Sequence, residues 1–331
     1  MKLKLLLVTG ISLLPLTSCY EDYIRDSSTR GIGFANQTDV RSVIVGEGLR
    51  FSTAVALAGV ISNGEDRKVD YEVDASLADG TALAAMKTSS LSYIASLAKP
   101  LTSLEALPSS EYSLVNEGGK DGSTIIRSGS HAGRITVVID SAAFFAGSAS
   151  LSPRFVVPLR ITGGNGLDII GGRETTVIGV RYENMLFGNW WHGGRAVVKD
   201  GSGNVVDEVS YRTEIPQSNN RVWTLTTVDP HSLTANAVGN ELNGSAAQMK
   251  LTLREDGSVT VASVSGADYV VEQDGECGYN KARLLQNRRI YLKYRFVKDG
   301  NVWHATDTLT FRNRIRDGVN EWQDENQENY K

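Results

Sequence analysis

From residue 31 onward the chain alternates short apolar and polar runs and breaks them with glycine-rich turns. Leu49, Phe51, Val55 and Leu57 share one face of an extended segment, with Thr53 in phase. That is the two-residue period of a half-buried strand. Val69, Tyr71 and Val73 repeat it after the turn-like Ser62-Asn63-Gly64-Glu65-Asp66. Further strands are predicted at 112–115, 124–127, 134–139, 155–162 and 175–182. Pro158 lies inside one of them and, having no N–H to donate, predicts an edge strand or a bulge. Residues 77–107 lose the period. They are rich in Ala, Leu and Ser, place Leu91, Ile94, Leu97 and Ala98 at helical spacing, and are punctuated by Pro100 and Pro108. They predict one or two short helices inserted between strands. Roughly seven strands over 31–181 suit an immunoglobulin-like β-sandwich.

Composition changes at 181–184. All five tryptophans (Trp190, Trp191, Trp223, Trp303 and Trp322) lie beyond that point. Hairpin signals also sharpen. Met249, Leu251 and Leu253 alternate into Glu255-Asp256-Gly257, and Val259 and Val261 alternate out of it. Ile290, Leu292, Tyr294 and Phe296 do the same into Lys298-Asp299-Gly300-Asn301. Asp-Gly between alternating runs is a strong hairpin signal. About eight antiparallel strands fit 185–313, enough to close a small up-and-down barrel, with a second sandwich as the alternative. Gly188-Asn189-Trp190 is similar to the Gly-x-Trp of lipocalin-like barrels. There the tryptophan plugs the closed end and an arginine of the last strand packs on it; Arg312 and Arg314 stand in that place. The fold class expected is all-β, a domain over 31–181 followed by a barrel or sandwich over 182–331.

The first residues are of another kind. Lys2 and Lys4 precede an apolar run over 5–16 that ends in Leu16-Thr17-Ser18-Cys19. The run has the length of a secretory h-region and is too short to span a bilayer as a mature helix. Its end resembles a bacterial lipobox, so 1–18 reads as a signal peptide, Cys19 as the lipidated residue and 19–30 as a tether. Tyr20-Glu21-Asp22-Tyr23 resembles the surface-export signal of Bacteroidota outer-membrane lipoproteins. The expected place is the outer membrane, anchored by lipid and facing the cell exterior.

Charge and chemistry narrow the function by exclusion. The net charge of −4 moves to −6 once Lys2 and Lys4 leave with the signal peptide, so no broad basic surface exists for nucleic acid. Cys277 is alone after Cys19 is acylated, which rules out an internal disulfide. His131, His192, His231 and His304 have no metal-ligand spacing, and no metal or cofactor is expected. Asp200-Gly201-Ser202-Gly203-Asn204 carries oxygen ligands but reads as a hairpin turn. Asp207 and Glu208 are adjacent and face opposite sides of a strand, so they form no glycosidase pair. The chain does not read as an enzyme.

Three segments carry a family resemblance. Glu111-Tyr112-Ser113-Leu114, the run from Ile125 to Val137 (Ile-Ile-Arg-Ser-Gly-Ser-His-Ala-Gly-Arg-Ile-Thr-Val), and Phe155-Val-Val-Pro-Leu-Arg-Ile161 resemble an N-terminal domain of Bacteroidota surface lipoproteins. That domain also precedes family-18 glycoside hydrolases. Thr308-Leu-Thr-Phe-Arg-Asn-Arg-Ile-Arg-Asp-Gly-Val-Asn-Glu-Trp322 resembles a separate uncharacterised domain that follows it. The resemblance implies an accessory of a polysaccharide-utilisation system. Its implied partners are a polysaccharide or oligosaccharide, other surface lipoproteins or an outer-membrane transporter. The clustered Asp-x-x-Asp-x-Asp-x-Glu run of the hydrolases is missing, so their activity does not carry over.

Glycan binding needs flat ring faces with polar groups around them. Trp223 and Trp303 are in phase with apolar neighbours and read as core. Trp191 faces away from Trp190 beside His192 and Gly193-Gly194, and reads as a platform. His192, Tyr211, Tyr279 and Tyr291 are further candidates. The charged segment 312–322 reads as a clasp that turns at Asp317-Gly318 and pins Trp322 against the barrel.

Overall fold

A computed structural model describes residues 30–323 apart from 117–121, 212–219, 243 and 245. Cys19 and the rest of 1–29 lie outside the described residues. The fold is all-β, in two bodies.

Among the described residues the first body has ten strands: β1 (Gly31–Phe34), β2 (Thr38–Val45), β3 (Arg50–Ala58), β4 (Arg67–Val73), β5 (Glu105–Ala106), β6 (Tyr112–Asn116), β7 (Ser123–Ile126), β8 (Ala132–Ile139), β9 (Phe155–Gly163) and β10 (Thr175–Asn184). They form two sheets, β1-β3-β8-β6 and β2-β10-β9-β4-β7, with β5 added to β9. Val55, Ile135 and Val137 of one sheet face Val43, Val157 and Ile178 of the other across a closed core. The opposite face of the second sheet is also covered. Helices α1 (Gly80–Lys87) and α2 (Ser92–Ala98) lay Leu83, Met86, Ile94 and Ala98 on Val40, Val156 and Val177. Double coverage explains why β9 and β10 read as continuous apolar runs rather than alternating ones. The three strands beyond the seven expected are β1, β2 and β5: β1 and β5 carry too few residues to show a period, and β2 is buried on both faces. A third helix, α3 (Ser141–Ala146), is also unforeseen; Asp140 caps it by accepting from Ala143 N–H at 2.9 Å.

Pro158 corrects an expectation. It sits in β9, an interior strand, opposite Val177 of β10. Its carbonyl accepts from the Asp74 N–H at 3.1 Å, just past the end of β4. Its ring nitrogen faces the same side, in the gap between β4 and β5, where no ladder acceptor waits for an N–H.

The second body comprises β11 (Gly188–Lys199), β12 (Val205–Ser210), β13 (Arg221–Asp229), β14 (Ser232–Ala235), β15 (Ala237–Val238), β16 (Glu241–Leu242), β17 (Met249–Leu253), β18 (Val259–Ser263), β19 (Val271–Gln273), β20 (Gly278–Tyr279), β21 (Arg289–Lys298), β22 (Asn301–Arg316) and β23 (Val319–Glu321). Eight of them close a barrel in the order β11-β13-β14-β17-β18-β19-β21-β22, with β22 returning to pair with β11. Closure removes the exposed edges of an open sheet. The β21–β22 turn has φ of 52° at Asp299 and 78° at Gly300, the left-handed pair that a two-residue hairpin requires. Trp190 is fully buried, donates Nε1–H to the Leu186 carbonyl at 3.0 Å and meets Phe311 edge-on at 5.3 Å. The arginine expected on Trp190 lies elsewhere: Arg314 covers Phe187 at 5.2 Å, because a bulge between Asn189 and Trp190 shifts the register of β11 against β22.

The two bodies share a continuous path. β10 ends at Asn184 and β11 begins at Gly188, leaving only Met185, Leu186 and Phe187 between them. Glu47, in the turn after β2, is buried at the barrel end. Arg314 grips it with both terminal nitrogens at 2.8 Å, and Arg288 Nη1 reaches it at 2.6 Å. Arg314 also donates Nε–H to Glu321 at 2.5 Å. The β22–β23 turn then docks on the first body. Asp317 accepts from Ser42 N–H and Oγ–H at 3.0 and 2.7 Å, and Gly318 lies against the Tyr93 ring. The terminal segment is thus a clasp between bodies. Trp322 is not pinned to the barrel as expected; it is 56% exposed, since the turn reaches toward β2.

Burial alone would raise the Glu47 carboxyl, but the Arg314 hydrogen bonds and charge, joined by those of Arg288, hold it below the usual carboxylate value of 4.5. An acid depressed on folding stabilises fully above its unfolded pKa and loses that contribution as pH falls through its folded value. Wild type therefore gains stability over Glu47→Gln above pH 4.5, and the gap closes as pH falls below it. Near neutral pH the variant is expected to lose about 3–5 kcal/mol, because two buried guanidinium groups lose their counter-charge. Urea unfolding at a series of pH values checks both; equal stability of the two proteins at pH 7 would refute the claim.

Candidate functional site

The five ring residues singled out in sequence fall in three places. His192 and Tyr211 share an internal cluster. His192 is buried, stacked between Trp223 at 4.3 Å and Tyr211 at 5.0 Å. Asp307 is buried beside it and accepts from Tyr211 Oη–H at 2.6 Å and Tyr294 Oη–H at 2.5 Å. His192 Nε2 stands 3.1 Å from Asp307 Oδ2, at ion-pair distance but off the hydrogen-bond line. Burial and the Asp307 charge push both phenols far above their ordinary pKa, so they remain donors. The cluster is a strut with His192, Tyr294 and Asp307 buried and Tyr211 partly buried at its outer end. It also accounts for Gly194. A Cβ on Gly194 would lie 2.2 Å from Asp307 Oδ1, so only glycine lets the carboxylate meet Tyr211.

Trp191 and Tyr291 lie on the outer wall. Trp191 pairs in register with Thr310, and Tyr291 with Thr308, so both project from the same outer face of β11, β22 and β21. Tyr291 is 47% exposed. The Trp191 ring is half-buried and carries the Arg312 guanidinium at 4.7 Å. Its platform face is therefore already occupied by the chain's own cation.

Tyr279 opens on a groove. Two hollows adjoin at Arg254. The first, about 160 Å³, has an apolar floor of Val45, Met185, Pro230, Leu253 and Tyr279 under a rim that includes His231, Arg254 and Glu255. The second, about 290 Å³, is lined by Ser258, Thr260, Gln273, Glu276 and Cys277. The turn between β17 and β18 forms the saddle between them. Asp256 fixes this turn by accepting from Ser258 N–H at 2.8 Å and Oγ–H at 2.6 Å. Lys281 Nζ donates to the Glu255 carbonyl, and Tyr279 N–H to the Gly257 carbonyl at 2.9 Å. Gly257, at φ 93°, supplies the left-handed bend. Arg254 is thereby held at the saddle while its guanidinium makes no hydrogen bond or close ion pair among the described residues.

The second hollow exists because the barrel wall is incomplete there. β18 and β19 share one ladder pair, Ala262 with Glu272. Beyond it the Gln273 side chain accepts from Val261 N–H at 3.3 Å in place of a backbone carbonyl. Burial raises the Cys277 thiol, and the Lys293 N–H lowers it only in part. A thiol so placed is a packed small residue rather than a nucleophile.

Sequence reading named Tyr279 in this groove and missed Arg254, His231, Gln273 and Glu276. Glu255-Asp256-Gly257 was legible as a turn; that a turn presents Arg254 to a hollow needs β2 and β20 brought beside it.

Residues 23–168 match a family model described as "-like, N-terminal domain". A Bacteroides ovatus protein of unknown function is similar in structure, with a TM-score of 0.61 at 20% identity over 90% of this chain and 98% of that one. A multidomain protein of Bacteroides ovatus gives 0.40 at 13% identity over 88% and 99%. A lipoprotein of Bacteroides thetaiotaomicron gives 0.25 at 10% identity over 46% and 74%. No curated protein matches the chain in sequence. The first of these structures shows the same two-body β fold.

Gly194→Ala is expected to destabilise the barrel by about 1–3 kcal/mol through overpacking. Urea unfolding followed by tryptophan fluorescence reads it, since all five tryptophans lie beyond residue 184. An unchanged midpoint would show that the Asp307 cluster does not need the glycine.

Proposed function

We propose that this chain is a non-catalytic, lipid-anchored surface protein that holds glycan in the Arg254 groove as an accessory of polysaccharide uptake. The observation that carries the reading is a ring-sized apolar hollow floored by Tyr279, with the Arg254 guanidinium at its lip making no hydrogen bond among the described residues. A cavity of about 150 Å³ holds one six-membered apolar ring, so the first hollow suits one sugar ring on the Tyr279 face. Arg254, Glu255, Gln273 and Glu276 supply donors and acceptors for hydroxyls along the two hollows. Location follows from Lys2, Lys4, the apolar run and Cys19, which read as a lipoprotein leader, and from the acidic residues after Cys19, which favour display outward.

A polysaccharide panel on affinity gels, followed by calorimetry, tests binding. Tyr279→Ala and Arg254→Ala are each expected to weaken affinity by about tenfold, the loss of roughly 1.4 kcal/mol. Trp191→Ala is expected to leave it unchanged. Wild type running unretarded on every glycan would remove the reading. Radiolabelled palmitate is expected to enter wild type and not Cys19→Ala; label in neither protein would remove the anchor.

β12 favours a second reading, a module that binds a protein partner. Val205 and Val206 are 56% and 53% exposed, and no strand pairs with its outer edge among the described residues. Such an edge accepts an added strand. Recovery of a stoichiometric outer-membrane partner by wild type and by Tyr279→Ala, but not by Val206→Lys, would decide for it.

A further inference from the structure

The groove is not a property of the barrel alone. Val45 and Gly46 come from the end of β2 and Asn184 from the end of β10 in the first body, Met185 from the three-residue link, and the remaining lining from the barrel. These walls meet over a buried ion cluster that does not itself line the groove. Glu47 N–H donates to the Ile44 carbonyl at 3.0 Å and closes the turn that carries Gly46. Gly46 has φ 87°, and a Cβ there would lie 3.1 Å from Met185 Sδ. Arg288 pairs with Glu47 at 2.6 Å and donates to the Met185 carbonyl at 2.5 Å through the same Nη1. One guanidinium nitrogen thus holds both facing walls of the first hollow. The Tyr279 floor is tied to the same segment. Asn280 Nδ2–H donates to the Asn287 carbonyl at 2.8 Å, and Asn280 N–H to the Arg289 carbonyl at 3.1 Å, on either side of Arg288.

We infer that Glu47 is a positioning residue for this groove, so that ligand binding there and the docking of the two bodies are one coupled equilibrium. The inference rests on the reading of the groove as the glycan site. Glu47 fixes Gly46 on one side, orients Arg288 and through it Met185 on the other, and sets the width of the hollow. Coupling is reciprocal. A ligand seated against Val45, Gly46 and Met185 tightens the junction by the same factor that the intact junction improves affinity. The first body follows directly from the tether, so occupancy of the groove is felt at the membrane-side module.

The test uses the full mature chain and the oligosaccharide that wild type retains. Glu47→Gln is expected to raise Kd by about tenfold, inside the usual span of coupling between linked sites, with the near-ultraviolet signal of the barrel tryptophans unchanged. Hydrogen–deuterium exchange is expected to rise in 44–47, 184–187 and 278–280 and to stay fixed in β13. On wild type, saturating ligand is expected to slow exchange in β2. Gly46→Ala leaves the ionic side chains in place but forces a Cβ into a turn at φ 87° and crowds Met185, so it is expected to weaken binding and the junction together. Wild-type Kd in Glu47→Gln or unaltered exchange around the groove would overturn the inference while leaving the glycan reading intact. If wild type binds no glycan, that reading falls and the exchange measurement still decides whether Glu47 sets the walls. If Glu47→Gln loses its near-ultraviolet signal, Gly46→Ala and ligand-induced protection of β2 decide in its place.

Discussion

One buried carboxylate organises this protein. Glu47 sits between two guanidinium groups, and all three are almost wholly out of water. Removing charges from water costs several kcal/mol per ion, and the fork of Arg314 on the carboxylate offsets it only in that geometry. The arrangement leaves the two bodies little freedom to rotate, since any departure strands charge in an apolar setting. Met185, Leu186 and Phe187 then need no stiffness of their own to act as a rigid link. Asp317 on Ser42 and Gly318 on Tyr93 add a second fastening, from a hairpin whose other strand carries Arg314.

Position and chemistry are linked through that junction. Trp190, Trp223 and Tyr294 and the Asp307 cluster pack the barrel interior. The outer wall presents Trp191, but Arg312 lies on the ring. Open hollows occur where regular pairing stops: at the seam between bodies, and where β18 parts from β19. Those are also the places where side chains such as Arg254 and Gln273 are left to meet something other than a ladder.

Much of the architecture was legible in residue order. Strands that bury one face alternate, so β3, β8, β17, β18 and β21 show their period plainly. Asp299-Gly300 and Asp317-Gly318 mark turns because only residues tolerant of positive φ fit there. Strands buried on both faces, as β9 and β10 are, hide their period, and Pro158 pointed to an edge although its missing donor falls in a gap between two partners. The candidate site was harder to read. Tyr279 could be named as a candidate ring, whereas Arg254 in sequence is one more charged residue before a turn.

What the sequence determined by itself is local: alternation, helical spacing and turn chemistry. These follow from the properties of neighbours within a few residues. Tertiary structure decided which distant charges would meet, such as Glu47 with Arg288 and Arg314, and which rings would be covered. It also decided that a groove would form where two bodies abut. Pairing between residues hundreds apart depends on the closure of the barrel and the docking of its last hairpin, which bring their side chains within hydrogen-bond reach only once both cores are packed.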